Sequence, residues 1–278
     1  MLHLERIIIQ SFVRELKRAY QQNFDLMGSE IPEILTWFCH LALENIANCN
    51  ALYHNVEHTI MVVSAGQEIL RGKHMREGDV TPRDWLNFTV ALLCHDIGYV
   101  RGICRADGRN HFATGVGDGT VSLRPGATDA ALAPYHVDRS KLFVRECFTG
   151  KSLDEADVEV IVNHIEMTRF PIPEGDFYQD THSYSALVRA ADLIGQLGDP
   201  GYIRKLPALF FELEETGANA KIGYTDPENM RQRYSKFYWN VISPYIQEGI
   251  KYLRVTHEGR QWVSNLHSHV FAVEHGEG

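Results

Sequence analysis

The sequence has 278 residues, of which 44% are hydrophobic and 23% charged, with 27 lysines and arginines against 36 acidic residues. The formal net charge of −9 excludes a general nucleic-acid-binding surface, because phosphate backbones are bound by clustered positive charge. The composition is that of a globular protein with a packed core, which excludes disordered and collagen-like chains. No apolar run approaches the roughly 18 residues that cross a bilayer, and the first residues lack the layout of a signal peptide. We therefore expect a cytoplasmic protein without a membrane partner.

The periodicity of apolar residues predicts helices along most of the chain. In chain order they cover residues 4–19, 31–47, 53–70, 81–95, 129–148, 153–165, 183–197, 227–253 and 258–273. Some of them begin with helix entry signals, such as Thr81-Pro82 before Asp84 and, in the pattern of a capping box, Ser152 with Glu155. Strand signals are nearly absent. We predict an all-α, single-domain, multi-helix bundle, in which residues 1–50 form a helical extension packed on a domain of residues 51–278.

The helical pattern is interrupted by a glycine-rich insert at residues 98–128. Its length exceeds that of an ordinary helix connection, which predicts a functional flap or a partly mobile excursion. Arg101, Arg105 and Arg109 could close over an anion from this insert. The simpler interpretation, which we favour, is that they are solvated loop charges. The five cysteines are scattered and form no Cys-x-x-Cys pair, so they are expected to be reduced packing residues.

Histidines and aspartates at the ends or within apolar helices indicate a metal site. His54 and His58 are four residues apart, a spacing that predicts one shared helix face. The pair His95-Asp96 ends an apolar helix, where an ionised aspartate needs a compensating partner. Three further candidate ligands, each set in an apolar helix, are His136, His164 and Asp192.

Together, six candidate ligands follow one another along the chain: His58, His95, Asp96, His136, His164 and Asp192. Imidazole and carboxylate ligands without thiolates suit Mn, Fe, Ni, Co or Zn, with Mg suited to a carboxylate-rich position. Six groups exceed the need of one closed site. We predict two divalent ions, bridged by Asp96 and a hydroxide, with room left for substrate oxygens.

These residues resemble the HD-domain metal-dependent phosphohydrolases, named for the pair seen here as His95-Asp96. Within that superfamily the chain is most similar to the catalytic domain of class I cyclic-nucleotide phosphodiesterases. The resemblance spans about residues 53–245. It is carried by Tyr53-His54-Asn55 with His58, by His95-Asp96, by Asp192 followed by Asp199-Pro200, and by Phe237 leading to Pro244.

The resemblance implies particular roles for these residues. His58, His95, Asp96 and Asp192 would bind the tighter metal, with Asp96 bridging to the second and acting in catalysis. His136 and His164 would hold the second ion, and His54 would be the general acid that protonates the leaving oxygen. Phe237 would stack a purine, beside Tyr234, Tyr99 and Asn55 as further substrate contacts. The expected partner is a small-molecule phosphate ester, in the first instance a nucleotide.

The sequence also departs from the patterns of these relatives. Tyr99 stands where the phosphodiesterases have a histidine and the cyclic-dinucleotide branch has a lysine. Tyr234 replaces their glutamine. Three functions therefore stay open. The first is hydrolysis of a phosphodiester, foremost a 3′,5′-cyclic nucleotide, by a metal-bridging hydroxide. The second is a phosphomonoesterase acting on a nucleotide or small phosphate. The third is a catalytically silent metal-containing sensor or interaction protein, which an intact His54 disfavours.

Overall fold

Helices make up most of the structure (69%), which confirms the predicted all-α architecture. The computed structural model describes residues 4–276 apart from residues 26, 29, 151 and 152. Its α-helices, numbered α1 to α14 in chain order, are Leu4–Phe24, Ile31–Ile46, Val56–Glu77, Pro82–Cys94, His136–Phe148, Glu155–Glu166, Asp176–Gln179, Tyr184–Leu197, Tyr202–Glu215, Ala218–Ile222, Pro227–Gln232, Tyr234–Phe237, Ser243–Leu253 and His257–Glu274. None of the described helices is both long and apolar enough to span a membrane.

Helix α4 lies at the centre of the fold. Its residues from Trp85 to Cys94 are all buried, as expected for a helix that is surrounded by others. Helices α2, α3, α6 and α8 pack around it. The predicted entry signal at Thr81 is confirmed as a capping box, in which the Thr81 side chain accepts from the backbone N–H of Asp84 and the Asp84 carboxylate accepts from the backbone N–H of Thr81. The helix therefore places the next two residues of the chain, His95 and Asp96, in the protein interior.

Helices α3 and α8 pack closely against one another, and α13 covers both. The close approach requires Gly195, because a Cβ at this position would lie 2.4 Å from the Cα of Val62. Asn55 caps the start of α3 by accepting a 3.2 Å hydrogen bond from the backbone N–H of His58. This packing of α3 on α8 places His58 Nε2 within 3.9 Å of Oδ1 of Asp192.

Helices α1 and α2 bury their apolar residues in the same hydrophobic core as the rest of the bundle. The ring of Phe24 at the end of α1, for example, lies 5.5 Å from that of Trp85 in an edge-on contact. The division of the chain at residue 50 stays a prediction, and residues 1–3 of the proposed extension lie outside the described residues.

Prolines shorten or divide two of the predicted helices. Pro134 lacks a backbone N–H, and the predicted helix at residues 129–148 begins instead with a 3₁₀ turn, Asp129–Leu132, followed by α5. Near Pro244, the predicted helix at residues 227–253 is divided into α11, α12, a π-helical segment at Tyr238–Ile242 and α13. The predicted cap Ser152 lies outside the described residues, and α6 is capped by Asp154.

The glycine-rich insert contains a small β-hairpin that the sequence analysis did not predict. Strands β1 (His111–Ala113) and β2 (Thr120–Ser122) pair antiparallel. The insert is tied to the helical core by Arg139 of α5, which is fully buried. Arg139 donates to both carboxylate oxygens of Asp107 at 2.9 Å and to the carbonyl oxygens of Gly98, Val100 and Ala113. These contacts hold the insert against α5.

Candidate metal centre

Four of the predicted ligands converge where α3, α4 and α8 meet. The Nε2 atoms of His58 and His95 lie 3.1 and 3.0 Å from Oδ2 of Asp96. The same two nitrogens lie 3.9 and 3.5 Å from Oδ1 of Asp192. The side chains of His58, His95 and Asp96 are almost completely buried, whereas that of Asp192 is 17% exposed. The cluster therefore has a deep side and a side open to solvent.

Three atoms of this cluster lack the hydrogen bonds that buried polar atoms normally make. They are His58 Nε2, His95 Nε2 and Asp96 Oδ2, which approach one another closely but not in hydrogen-bonding geometry. The Nδ1–H of His95 donates to the carbonyl oxygen of Leu92 at 2.7 Å, so Nε2 is the ring nitrogen that faces the cluster. Imidazole nitrogens and carboxylate oxygens that converge without mutual hydrogen bonds fit a divalent cation.

The electrostatics of the cluster also reflect closely spaced charges. Burial favours the neutral form of Asp96, but the His95 and His54 cations outweigh it and hold the pKa of Asp96 well below its usual range. Burial likewise opposes the charged form of His95, yet Asp96 and Asp192 raise its pKa well above the usual value. For His58, burial dominates and lowers the pKa. Asp96 thus stays ionised, as a carboxylate metal ligand must be.

His136 reaches the same centre from α5. Its Nε2 lies 3.6 Å from Oδ1 of Asp96, and its Nδ1–H donates to the carbonyl oxygen of Ala133 at 2.6 Å. The two oxygens of Asp96 thus face different histidines, Oδ2 towards His58 and His95 and Oδ1 towards His136. A second group with metal-ligand spacing consists of His54, His58 and Asp96.

His54 is held by a buried glutamate that the sequence analysis did not identify. The Nδ1–H of His54 donates to Oε2 of Glu212 at 2.5 Å, and the backbone N–H groups of Tyr53 and His54 donate to Oε1 at 2.5 and 3.1 Å. Burial disfavours the charged imidazole, but Glu212 and Asp96 outweigh it and raise the pKa of His54 to about 9. In the sequence, Glu212 could be recognised as an acidic residue three positions after Leu209, on the apolar stripe of α9.

Tyr99 lies between two histidines of the centre. Its ring stacks on that of His54 with centroids 4.6 Å apart and an interplanar angle of 13°. The other stacking contact is with His136, also at 4.6 Å and with an angle of 22°. Tyr99 is buried and sits in a 3₁₀ turn, Ile97–Tyr99, that follows Asp96. Tyr99, which was predicted to contact substrate, therefore fills the space between the imidazole rings of His54 and His136.

The other predicted substrate residues have structural contacts of their own. Asn55 caps α3, as described above. Tyr234 is 2% exposed and packs against Tyr202 with ring centroids 5.5 Å apart. Phe237 is partly buried and meets the ring of Phe170 edge-on at 6.0 Å. The roles of Asn55, Tyr234 and Phe237 in substrate binding stay predictions.

His164 is not brought into the metal cluster. It lies on α6, where its Nδ1 is 2.8 Å from Oγ of Ser185 and its ring meets that of Phe88 at 6.5 Å. Ser185 and Phe88 each precede the cluster residues on their helices by seven positions, a rise of about 10 Å in an α-helix. Burial lowers the pKa of His164 to about 4. The sequence could not separate this core histidine from a ligand, because both types occur within apolar helices.

Two of the three insert arginines bind the protein itself. Arg101 contacts Asp129 through Nε at 2.8 Å and donates to the carbonyl oxygen of Ala127 at 2.6 Å. Arg105 donates to the carbonyl oxygen of Glu146 at 2.6 Å. The suggested phosphate contacts at these two positions are therefore replaced by intramolecular ones. Arg109 is exposed, as expected for a solvated charge.

A groove of about 630 Å³ has the insert as one of its walls. The groove is lined by residues 121–127 of the insert, by Pro134 and Tyr135, and by the end of α9 around Glu214. Tyr135 directly precedes His136, and Glu214 follows Glu212 by two residues. Its volume is in the range of small-molecule sites.

Comparison with known proteins assigns the chain to one family. Residues 2–276 match the Npun_R2479-like family, and because the match covers nearly the whole sequence, the chain belongs to it. No curated protein matches the chain significantly.

Proposed function

We propose that this member of the Npun_R2479-like family is a metal-dependent phosphohydrolase that cleaves a phosphodiester, with a 3′,5′-cyclic nucleotide as the first candidate substrate. The observation that carries the proposal is the set of three buried atoms without hydrogen-bond partners, His58 Nε2, His95 Nε2 and Asp96 Oδ2, which face one another beside Asp192. Leaving such atoms unpaired is unfavourable, and a cation would satisfy all three at once.

His58, His95, Asp96 and Asp192 would hold one divalent ion, and His136 with the second oxygen of Asp96 would contribute to another. When bound, such ions would supply Lewis acidity, lowering the pKa of water and offsetting the charge of phosphate oxygens. Mn, Fe, Ni, Co and Zn suit this mixture of imidazole and carboxylate ligands, and Mg suits its carboxylates.

His54, the proposed general acid, lies on the side of the cluster that is open to solvent. The His54 side chain is 16% exposed, similar to Asp192 and unlike the deeper ligands. Because Glu212 holds Nδ1–H, the other nitrogen of the His54 ring is the one available to protonate a leaving oxygen. This arrangement of an imidazole oriented by a carboxylate is typical of general acid–base catalysis.

The charges near the centre favour a diester over a monoester. No lysine or arginine among the described residues forms an ion pair with Asp96, Asp192 or Glu212. A phosphate monoester carries nearly two negative charges at neutral pH, whereas a diester carries one. With three carboxylates present and no lysine or arginine paired to them, a singly charged phosphate is repelled less.

The test is a substrate panel with purified, metal-loaded protein. Cyclic AMP, cyclic GMP and bis-p-nitrophenyl phosphate are compared with nucleoside monophosphates in Mn²⁺. Turnover of diesters supports the proposal, turnover of monoesters alone supports a phosphomonoesterase, and no turnover with any divalent ion supports a sensor or interaction protein.

Two variants assign the roles within the site. Asp96→Ala should abolish turnover and lower bound metal, while the exposed Asp118→Ala serves as the matched control. His54→Ala should retain the metal but slow turnover about 10²–10⁴-fold, the usual contribution of a general acid. Unchanged activity and metal content in Asp96→Ala would refute the assignment of the centre.

A further inference from the structure

We propose that Tyr99 is a positioning residue, whose ring fixes the planes of His54 and His136 so that both present Nε2 to the centre. The inference rests on the proposed function. Each imidazole is held at Nδ1 by one hydrogen bond, His54 to Glu212 and His136 to Ala133. A ring with a single hydrogen bond can still tilt about it. Stacking on both faces of one phenol ring restricts that motion for the two histidines together.

The backbone around Tyr99 is itself firmly held. The N–H of Tyr99 donates to the carbonyl oxygen of Asp96 at 3.0 Å, and the N–H of Gly98 donates to Oγ of Ser140 at 2.9 Å. Nε of Arg139 donates to the carbonyl oxygen of Gly98 at 2.6 Å. The ring therefore projects from a turn that is bound to α5.

The turn is also pressed against the residue that it positions. A Cβ at Gly98 would lie 2.0 Å from the carbonyl oxygen of His136, so only glycine permits this approach. Ser140 Oγ, which accepts from Gly98, donates to the carbonyl oxygen of His95 at 2.7 Å. Tyr99, His95 and the first turn of α5 thus form one packed unit. A change at Tyr99 is expected to affect both stacked histidines and to leave the His58–His95–Asp192 contacts in place.

The experiment compares Tyr99→Phe, which retains an aromatic ring, with Tyr99→Met, which removes it at similar length. Histidine ring signals are recorded by NMR and assigned through His54→Gln and His136→Gln. Metal binding is measured by calorimetry with Mn²⁺, and circular dichroism establishes that each variant is folded. Tyr99→Leu replaces Tyr99→Met if the latter does not fold.

The expected result is a ring-current shift of the His54 and His136 signals in wild type and Tyr99→Phe that is lost in Tyr99→Met. Turnover of a diester with an alkyl leaving group should fall about 10–100-fold in Tyr99→Met, because protonation by a misplaced acid is slow. Turnover of bis-p-nitrophenyl phosphate should fall far less, since its leaving group needs no proton. Tyr99→Phe should remain within about threefold of wild type on both substrates.

Two results would overturn the role of Tyr99. One is unchanged histidine signals in Tyr99→Met, which would mean that the stack does not set the ring planes. The other is an equal loss of activity in Tyr99→Phe and Tyr99→Met, which would assign the effect to the hydroxyl group. If wild type hydrolyses no phosphate ester, the proposed function fails, and the NMR comparison still decides whether Tyr99 positions the two histidines.

Discussion

Divalent metal ions are expected to stabilise the folded protein through the His58–His95–Asp96–Asp192 cluster. Each buried polar atom left without a partner is unfavourable by about 1–3 kcal/mol, and the cluster contains three. A ligand that binds only the folded state stabilises it by about 2.7 kcal/mol at 100 times its Kd. For a chain of this size each kcal/mol raises Tm by roughly 2–4 °C, so saturation should raise Tm by about 5–10 °C.

The assay is thermal unfolding of metal-free protein, titrated in turn with Mn²⁺, Co²⁺, Ni²⁺, Zn²⁺, Mg²⁺ and, without oxygen, Fe²⁺. His95→Ala should lose most of the shift, because it removes a ligand whose Nε2 has no other partner. His40→Gln is the matched control, since His40 lies on α2 beside Glu44 and outside the cluster. No shift in wild type with any of the six ions, or an undiminished shift in His95→Ala, would refute the assignment of a metal site.

Three further outcomes are expected. Glu212→Gln should retain bound metal but lower kcat about 10–100-fold on diesters with poor leaving groups, since it weakens the support of the general acid; unchanged kcat would remove that role. The pKa of His164 is about 4 in the folded protein against 6.5 for an ordinary histidine, so the unfolded state binds more protons between these values and stability should fall as pH drops from 6.5 to 4, by about 3 kcal/mol. Urea unfolding at several pH values should show this loss in wild type, and His164→Gln should reduce it. Arg139→Met should destabilise the protein by about 3–5 kcal/mol in urea unfolding, because it leaves Asp107 buried without its cation; a loss below 1 kcal/mol would show that the insert is not held by this pair.

The local sequence was sufficient to predict most of the helical architecture. Apolar periodicity located α1 to α6, α8 and α14, and the entry signal Thr81-Pro82 marked the start of α4, because caps and amphipathic stripes are local properties of the chain. Helix α9 was missed because Pro207 lies within it and its apolar stripe is shared with aromatic residues.

For the candidate site, the sequence predicted the residue types but not their arrangement. An aspartate or histidine within an apolar stretch needs a partner, and this physical requirement singled out His95, Asp96 and Asp192. The same requirement also selected His164, whose partner is a serine on a neighbouring helix. Only the packing of α3, α4 and α8 distinguishes the two cases.

Long-range contacts decided the remaining features of the site. Glu212 is 158 positions from His54 in the chain, and no local pattern connects them. The position of Tyr99 between two imidazoles likewise depends on the approach of Gly98 to α5. It also depends on Arg139, which donates a hydrogen bond to the carbonyl oxygen of Gly98. Composition and periodicity determine which segments become helices and which side chains are unfavourable to bury without a partner. The partners of those side chains depend on where the helices cross, and the crossing is set by side-chain volumes from distant parts of the chain.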